Sequence, residues 1–247
     1  MKILMINVVC GIRSTGRICT DLAMALEKQG HEVKIAYGRE NVPEQFKKYA
    51  VRIGTELDVK IHGVRARLLD EAGFGSILST RKFIKWIEEY GYYINVEILF
   101  NYLKQSKRRV IWTLHDCWSF TGHCVYFDYI NCDKWKYECS HCTQKKEYPA
   151  RIGPDMSKHN YSIKKKLFTG IDNMILVTPS QWLADLVRES YLKEYPVLVI
   201  YNGIDTNVFK PNNGNIKQKY NCLNKKIILG VAAVWDKSKG LDTIIEI

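Results

Sequence analysis

Three stretches hold residues whose types and spacing could do chemistry. In RRVIWTLHDCWSFTGHC, residues 108–124, an apolar run through Val110, Ile111, Trp112 and Leu114 stops at His115 and Asp116. Such a run reads as a buried parallel strand, and open α/β sheets take ligands outside the carboxyl ends of their strands. An imidazole and a carboxylate at that edge could orient a polar ligand and stabilise charge developing on it. An isolated His-Asp pair is also compatible with simple strand capping.

The second stretch, residues 117–146, is CWSFTGHCVYFDYINCDKWKYECSHCTQKK, with Cys124, Cys132, Cys139 and Cys142 spaced C-x7-C-x6-C-x2-C. Four thiolates within nineteen residues can close a tetrahedral zinc site, because zinc favours sulfur and a structural site leaves no open position. His123, His141 and Cys117 are alternative ligands. Reduced, partly buried thiols are the plainer reading. Structural zinc is preferred because the insert has little apolar periodicity to fold around.

The third stretch is the loop GIRSTG. Gly11 and Gly16 could turn backbone amides toward an anion at a positive helix N-terminus, with Ser14 or Thr15 as the cap. Its spacing departs from G-x-G-x-x-G, which counts against the usual dehydrogenase dinucleotide fold.

These stretches need elements to hold them. KILMINVV reads as a strand, a helix follows with Ile18, Leu22 and Leu26 on one face and Gly30 closing it, and HEVKIAYG reads as a second strand. Strand, helix, strand predicts a parallel sheet. Further strands are expected at 109–114, 173–178, 197–201 and 226–234, and helices at 159–169 and at 180–191 with Ser180 as N-cap. The pattern is α/β and doubly wound. The alternation fails once: KFIKWIEEY and YYINVEILFNYLKQ are both helical by period, with Gly91 alone between them, where a strand belongs. The turn-rich stretch YNGIDTNVFKPNNGNIKQKYN marks a boundary near residue 205, and a second domain is expected to begin at 206–247.

With 247 residues and 46% apolar composition the chain can bury a core. It has no stretch of about 18 apolar residues and no leader-like start, so a cytoplasmic location is expected. Lys and Arg number 37 against 26 Asp and Glu, a net +11 that favours anionic partners such as phosphorylated small molecules, nucleic acid or an anionic lipid surface. Groups such as Lys164, Lys165 and Lys166 read as ordinary solvated helix face.

The ordered set MKILMINVVCGIRSTGRICTDLA, TLHDCWSFTGHC, VTPSQWLADLV, VIYNGIDTNVFKP and ILGVAAVWDKSKGLDTII resembles the bacterial family-four glycosyltransferases of polysaccharide and colanic-acid type. The resemblance spans nearly the whole chain, and NGIDTNVF followed by a strand and K-G-L-D is its most specific part. It implies a GT-B fold of two Rossmann-like domains: an acceptor-side domain over 1–205 carrying the cysteine-rich insert, and the start of a donor-binding domain over 206–247. It also implies transfer of a hexose-type sugar, with retention, from a nucleotide-sugar donor to a glycan or lipid-linked acceptor in exopolysaccharide synthesis, without a catalytic metal.

In that picture the loop from Gly11 to Gly16, through Ser14 and Thr15, lets the donor diphosphate and the acceptor approach closely. His115 and Asp116 lie at the cleft floor, His115 with a positioning and charge-stabilising role. Asn202 and Gly203 mark the crossover between domains. Lys239 matches the lysine that pairs with donor phosphate, but the arginine usual a few residues earlier is absent and Lys237 is the nearest cation. A strand of the form P-D-I-I-H-x-H is expected, and missing, at Gly91. The remaining donor-binding residues are expected beyond residue 247, so the chain through 247 is expected to be inactive by itself. Peripheral contact with an anionic membrane is a further expectation, and nucleic acid is not an expected partner.

Two rival readings come from other classes. A Y-x3-K pair, Tyr161 and Lys165, occurs in short-chain dehydrogenases. The +11 charge with the cysteine cluster would suit a zinc-stabilised nucleic-acid-binding protein. Against the latter, Tyr126, Phe127, Tyr129 and Trp135 alternate with Asp128, Asp133 and Glu138, a poor phosphate-binding face. An inactive glycosyltransferase fragment is the plainest alternative.

Overall fold

A computed structural model describes residues 1–69, 96–211, 214–232, 235 and 240–246. The chain divides into two compact units, Met1–Gly203 and Ile204–Ile247. The stretch around Gly91 lies outside the described residues.

The first unit is α/β with two parallel three-stranded sheets. Strands β1 (Lys2–Ile6), β2 (Glu32–Tyr37) and β3 (Ala50–Arg52) form one in that order, with Lys2 opposite Glu32 and Ile35 opposite Ala50. Strands β4 (Val110–Thr113), β5 (Met174–Thr178) and β6 (Val197–Val199) form the other, with Val110 opposite Met174 and Thr178 opposite Val199. Val33 and Ile35 of β2 and Leu176 and Val177 of β5 are buried, as expected of strands covered on their faces.

Helix α1 (Arg13–Lys28) crosses from β1 to β2. Its buried residues are Gly16, Thr20 and Ala23, not the expected row of Ile18, Leu22 and Leu26, and Leu22 is exposed. Small side chains win because the helix lies close to the backbone it covers. A Cβ on Gly16 would stand 3.0 Å from Val9 Cγ2 and 3.2 Å from the Gly11 nitrogen. The end of α1 is as expected: Gly30 has φ +80° and donates to Glu27 O, and His31 N–H donates to Leu26 O, a Schellman closure.

Helix α2 spans Glu56–Leu69 and α3 Val96–Ser106. Helix α4 (Ser157–Phe168) precedes β5, and α5 (Gln181–Glu189) joins β5 to β6. Ser180 caps α5, its hydroxyl accepting the Leu183 N–H at 3.2 Å. Phe100 of α3, Trp112 of β4 and Phe168 of α4 pack with ring centroids 4.5–4.9 Å apart.

Residues 117–146 share the core of the second sheet, Phe120, Phe127 and Trp135 clustering with Leu114, Tyr161 and Phe168, contrary to the expectation of an insert with little to fold around. They form three short 3-10 turns, Trp118–Phe120, Asp128–Ile130 and Lys134–Lys136. Between these turns Phe120, Phe127 and Trp135 are buried, with Phe127 stacked on Trp135 at 4.9 Å. Turns separate these aromatics, so no helical or strand period reveals them.

The second unit has short helices α6 (Ile216–Lys219) and α7 (Leu241–Ile245). The strand expected at 226–234 is absent over its described part, 226–232, where Ile227, Ile228, Leu229 and Val231 are exposed. A parallel strand needs a neighbour for its N–H and C=O groups, and no described segment pairs with this one.

Candidate active site

His115 and Asp116 follow β4 directly, at the carboxyl edge of its sheet, and both are half-buried. Leu114 N–H extends the ladder to Val177 O at 2.8 Å. The chain then turns sharply: the Trp118 N–H donates to Asp116 Oδ1 at 2.8 Å, an Asx-type turn, and Phe120 N–H donates to Cys117 O at 3.2 Å. Burial pushes the Asp116 carboxyl above the usual range, opposed by the Trp118 N–H and by the nearby Lys164 and His115 charges.

Sequence reading missed Lys164, which it placed on a solvated face. The residue is 1% exposed. Its ammonium donates to Trp118 O at 2.9 Å and Thr121 O at 3.2 Å, and stands 3.5 Å from the centroid of the Trp118 ring. The same turn is held by the Tyr191 hydroxyl, which donates to Ser119 O. The missed signal was positional. Lys164 lies three residues after Tyr161, three before Leu167 and four before Phe168 along α4, all on its inward face, whereas Lys165 and Lys166 point to solvent. Tyr161 itself donates to Trp135 O at 3.0 Å. Its hydroxyl thus serves the insert, and Lys165 is exposed on another face, which leaves the dehydrogenase reading without a site.

In the glycine loop, Gly11 has φ +73°, and a Cβ there would meet the Phe46 ring at 2.4 Å. Its N–H donates to Gly16 O at 3.1 Å, so this amide is used within the loop. The N-cap of α1 is Ile12, with no side-chain cap bond. Ser14 and Thr15 sit inside the first turn instead, because the chain enters the helix at Arg13 through a φ of +55°, and Thr15 Oγ1 accepts from Asn7 Nδ2 at 3.2 Å. A hollow of about 560 Å³ beside β2 and β3, lined by Tyr37, Asn41, Lys47 and Arg52 among others, does not include His115 or Asp116.

The four insert cysteines lie near one another, and none is in a disulfide. The Cys124 thiol is hydrogen-bonded to Cys142, which also feels the His123 charge. Cys139 interacts with both Cys132 and Cys142 and takes a hydrogen bond from the Gly122 backbone, while Cys142 takes one from the Gln144 backbone. The bond with Cys142 and burial push the Cys124 thiol up, and the same bond draws Cys142 down to about 6. Among the described residues, no three Cys, His, Asp or Glu side chains stand, as placed, so that together they could hold a metal ion. Asn202 and Gly203 are exposed after β6, and Lys237 and Lys239 lie outside the described residues.

The sequence profile of Glycosyltransferase Family 4 matches residues 15–208. The chain belongs to Glycosyltransferase Family 4. The matched span of this family-four chain takes in the His115–Asp116 turn, the cysteine insert, Lys164, and Asn202–Gly203. Over 123 residues it is 29% identical to the putative colanic acid biosynthesis glycosyl transferase WcaC of Escherichia coli (strain K12), a match covering 47% of this chain and 29% of that protein. The chain therefore spans less than a third of that curated relative. No solved structure matches it. Among the described residues, no helix is long and apolar enough to cross a membrane.

Proposed function

We propose that the intact protein is a retaining, GT-B-type glycosyltransferase that moves a hexose from a nucleotide-sugar donor to a growing, lipid-linked polysaccharide. The observation that carries this reading is the family match over residues 15–208, which encloses a His-Asp turn at the carboxyl edge of a parallel sheet. The first unit would be the acceptor-side domain, and residues 206–247 would begin the donor domain.

In the transfer, the bond from the sugar's anomeric carbon to the leaving diphosphate breaks and a bond to the acceptor hydroxyl forms on the same face. The hydroxyl proton departs with the diphosphate. His115 supports the charge that develops as the diphosphate leaves. Asp116 is a positioning residue, because its carboxylate is engaged by the Trp118 N–H and so fixes the turn. Lys237 and Lys239 offset the diphosphate charge, the Gly11–Gly16 loop gives close backbone approach, and Asn202–Gly203 form the crossover. The net charge of +11 suits work at the anionic cytoplasmic face of a membrane, where a lipid-linked acceptor would be held.

The test is incubation of the intact protein with a panel of labelled nucleoside-diphosphate sugars and membrane lipid extract. Label entering the lipid fraction from one donor, with its anomeric configuration kept, supports the reading. No incorporation from any donor, or an inverted product, overturns it.

A further inference from the structure

The cysteine cluster has no part in the transfer described above, yet the chain is shaped around it. Cys124, Cys132 and Cys139 belong to or pack against the main core. His141, inside the C-x2-C turn, has φ +48°, and Asn131, just before Cys132, has φ +50°. Left-handed conformations are uncommon outside glycine, and here they turn the chain directly beside Cys132 and between Cys139 and Cys142. At Gly122 a Cβ would stand 2.8 Å from Cys139 Cβ and 2.2 Å from Ser157 O, so only glycine fits against this cysteine.

Backbone donors also point at sulfur: the Gly122 N–H at Cys139 and the Gln144 N–H at Cys142. Backbone N–H groups aimed at sulfur favour the thiolate over the thiol. The Cys139–Cys142 turn is tied down from outside, since Lys134 Nζ donates to Ser140 O at 3.0 Å and His141 O at 3.4 Å. The Cys142 N–H donates to Asp155 Oδ2 at 3.0 Å, and Asp155 pairs with the buried Arg151 at 3.2 Å. This resembles the outer shell of hydrogen bonds that orients metal ligands.

We propose that Cys124, Cys132, Cys139 and Cys142 bind one structural zinc ion as a tetrahedral four-thiolate site. Zinc replaces the thiol protons, including the one shared between Cys124 and Cys142, and these pass to solvent. The side chains close from neighbouring positions into the shell, and the ion cross-links the start of the insert to its end. With four sulfur ligands and no open position the site is structural. It stands or falls independently of glycosyl transfer.

The test uses intact protein purified under reducing conditions without added metal. About one zinc per chain is expected, because a closed thiolate site holds its metal tightly. Less than about a third of an equivalent, or iron in place of zinc, overturns the proposal. Cys139→Ser and Cys142→Ser should each lose most of the zinc, and full retention in either overturns the ligand set. Replacement of zinc by cobalt in the wild-type protein gives a second reading that does not depend on variants folding. Intense thiolate-to-cobalt charge-transfer bands with tetrahedral visible bands support the site, and octahedral, weakly coloured cobalt overturns it.

Discussion

His115 follows the last ladder bond of β4 and is half-buried at the sheet edge. If it stabilises departing charge, His115→Ala should lower the turnover of the intact enzyme by about 10²-fold or more with an unchanged melting temperature. A stable variant with normal turnover removes it from the site. Asp116 makes a different forecast, because burial holds its carboxyl above the ordinary range in the folded state. A raised pKa means that the folded state binds the proton more tightly, so stability is greatest below the unfolded value and falls as pH rises to the folded one. Asp116→Asn keeps an oxygen for the Trp118 N–H but cannot ionise. Denaturant titrations from below the ordinary carboxylate pKa upward should show wild type losing stability relative to this variant, and parallel curves would refute the assignment.

At the scale of elements, α4 positions the turn by inserting a cation beneath it. Lys164→Met leaves the carbonyls of Trp118 and Thr121 without their donor, an expected loss of about 1 to 3 kcal/mol. Turnover should fall too as the His115 turn loosens. Unchanged unfolding midpoints would show that Lys164 is a bystander. The same helix shows what could be read in advance and what could not. Five of the six described strands were legible from apolar runs and their flanks, and β3 was overlooked because Ala50 and Val51 are followed at once by Arg52, whereas the equally short β6 lies in the longer apolar run from Val197 to Tyr201. The face of α1 was misread because burial there selects Gly16, Thr20 and Ala23 for size, and hydrophobicity alone points to Leu22. Lys164 was misread because charge outweighed its position three residues after Tyr161 and three before Leu167. His115 and Asp116 were placed correctly at the strand end, since a strand followed by polar residues is a local signal; the tie from Lys164 is separated by more than forty residues from the turn it holds and leaves no local mark.

For the molecule as a whole, burial is concentrated in one unit. Every buried side chain among the described residues lies before Gly203, the last being Tyr195, so the first unit carries its own core. A chain ended at Gly203 should therefore unfold in a single cooperative transition, because both sheets and the core they bury lie within it. A broad transition or loss of near-ultraviolet dichroism would show that the second unit supports the first.

The placement of the insert between β4 and β5 bears on the order in which the site is assembled. Val110 pairs with Met174, 64 residues later, whereas Leu176 pairs with Val197, 21 residues later. Closing the longer loop costs about 1 kcal/mol more in chain entropy, and anything that shortens the floppy length of the insert in the unfolded chain lowers that cost. On loop length alone β6 joins β5 more readily than β4 does, so the His115 turn, which rides on the end of β4, is expected to settle after the insert has condensed. Changes in the insert would then alter how fast the reacting edge matures after synthesis while leaving the finished edge the same.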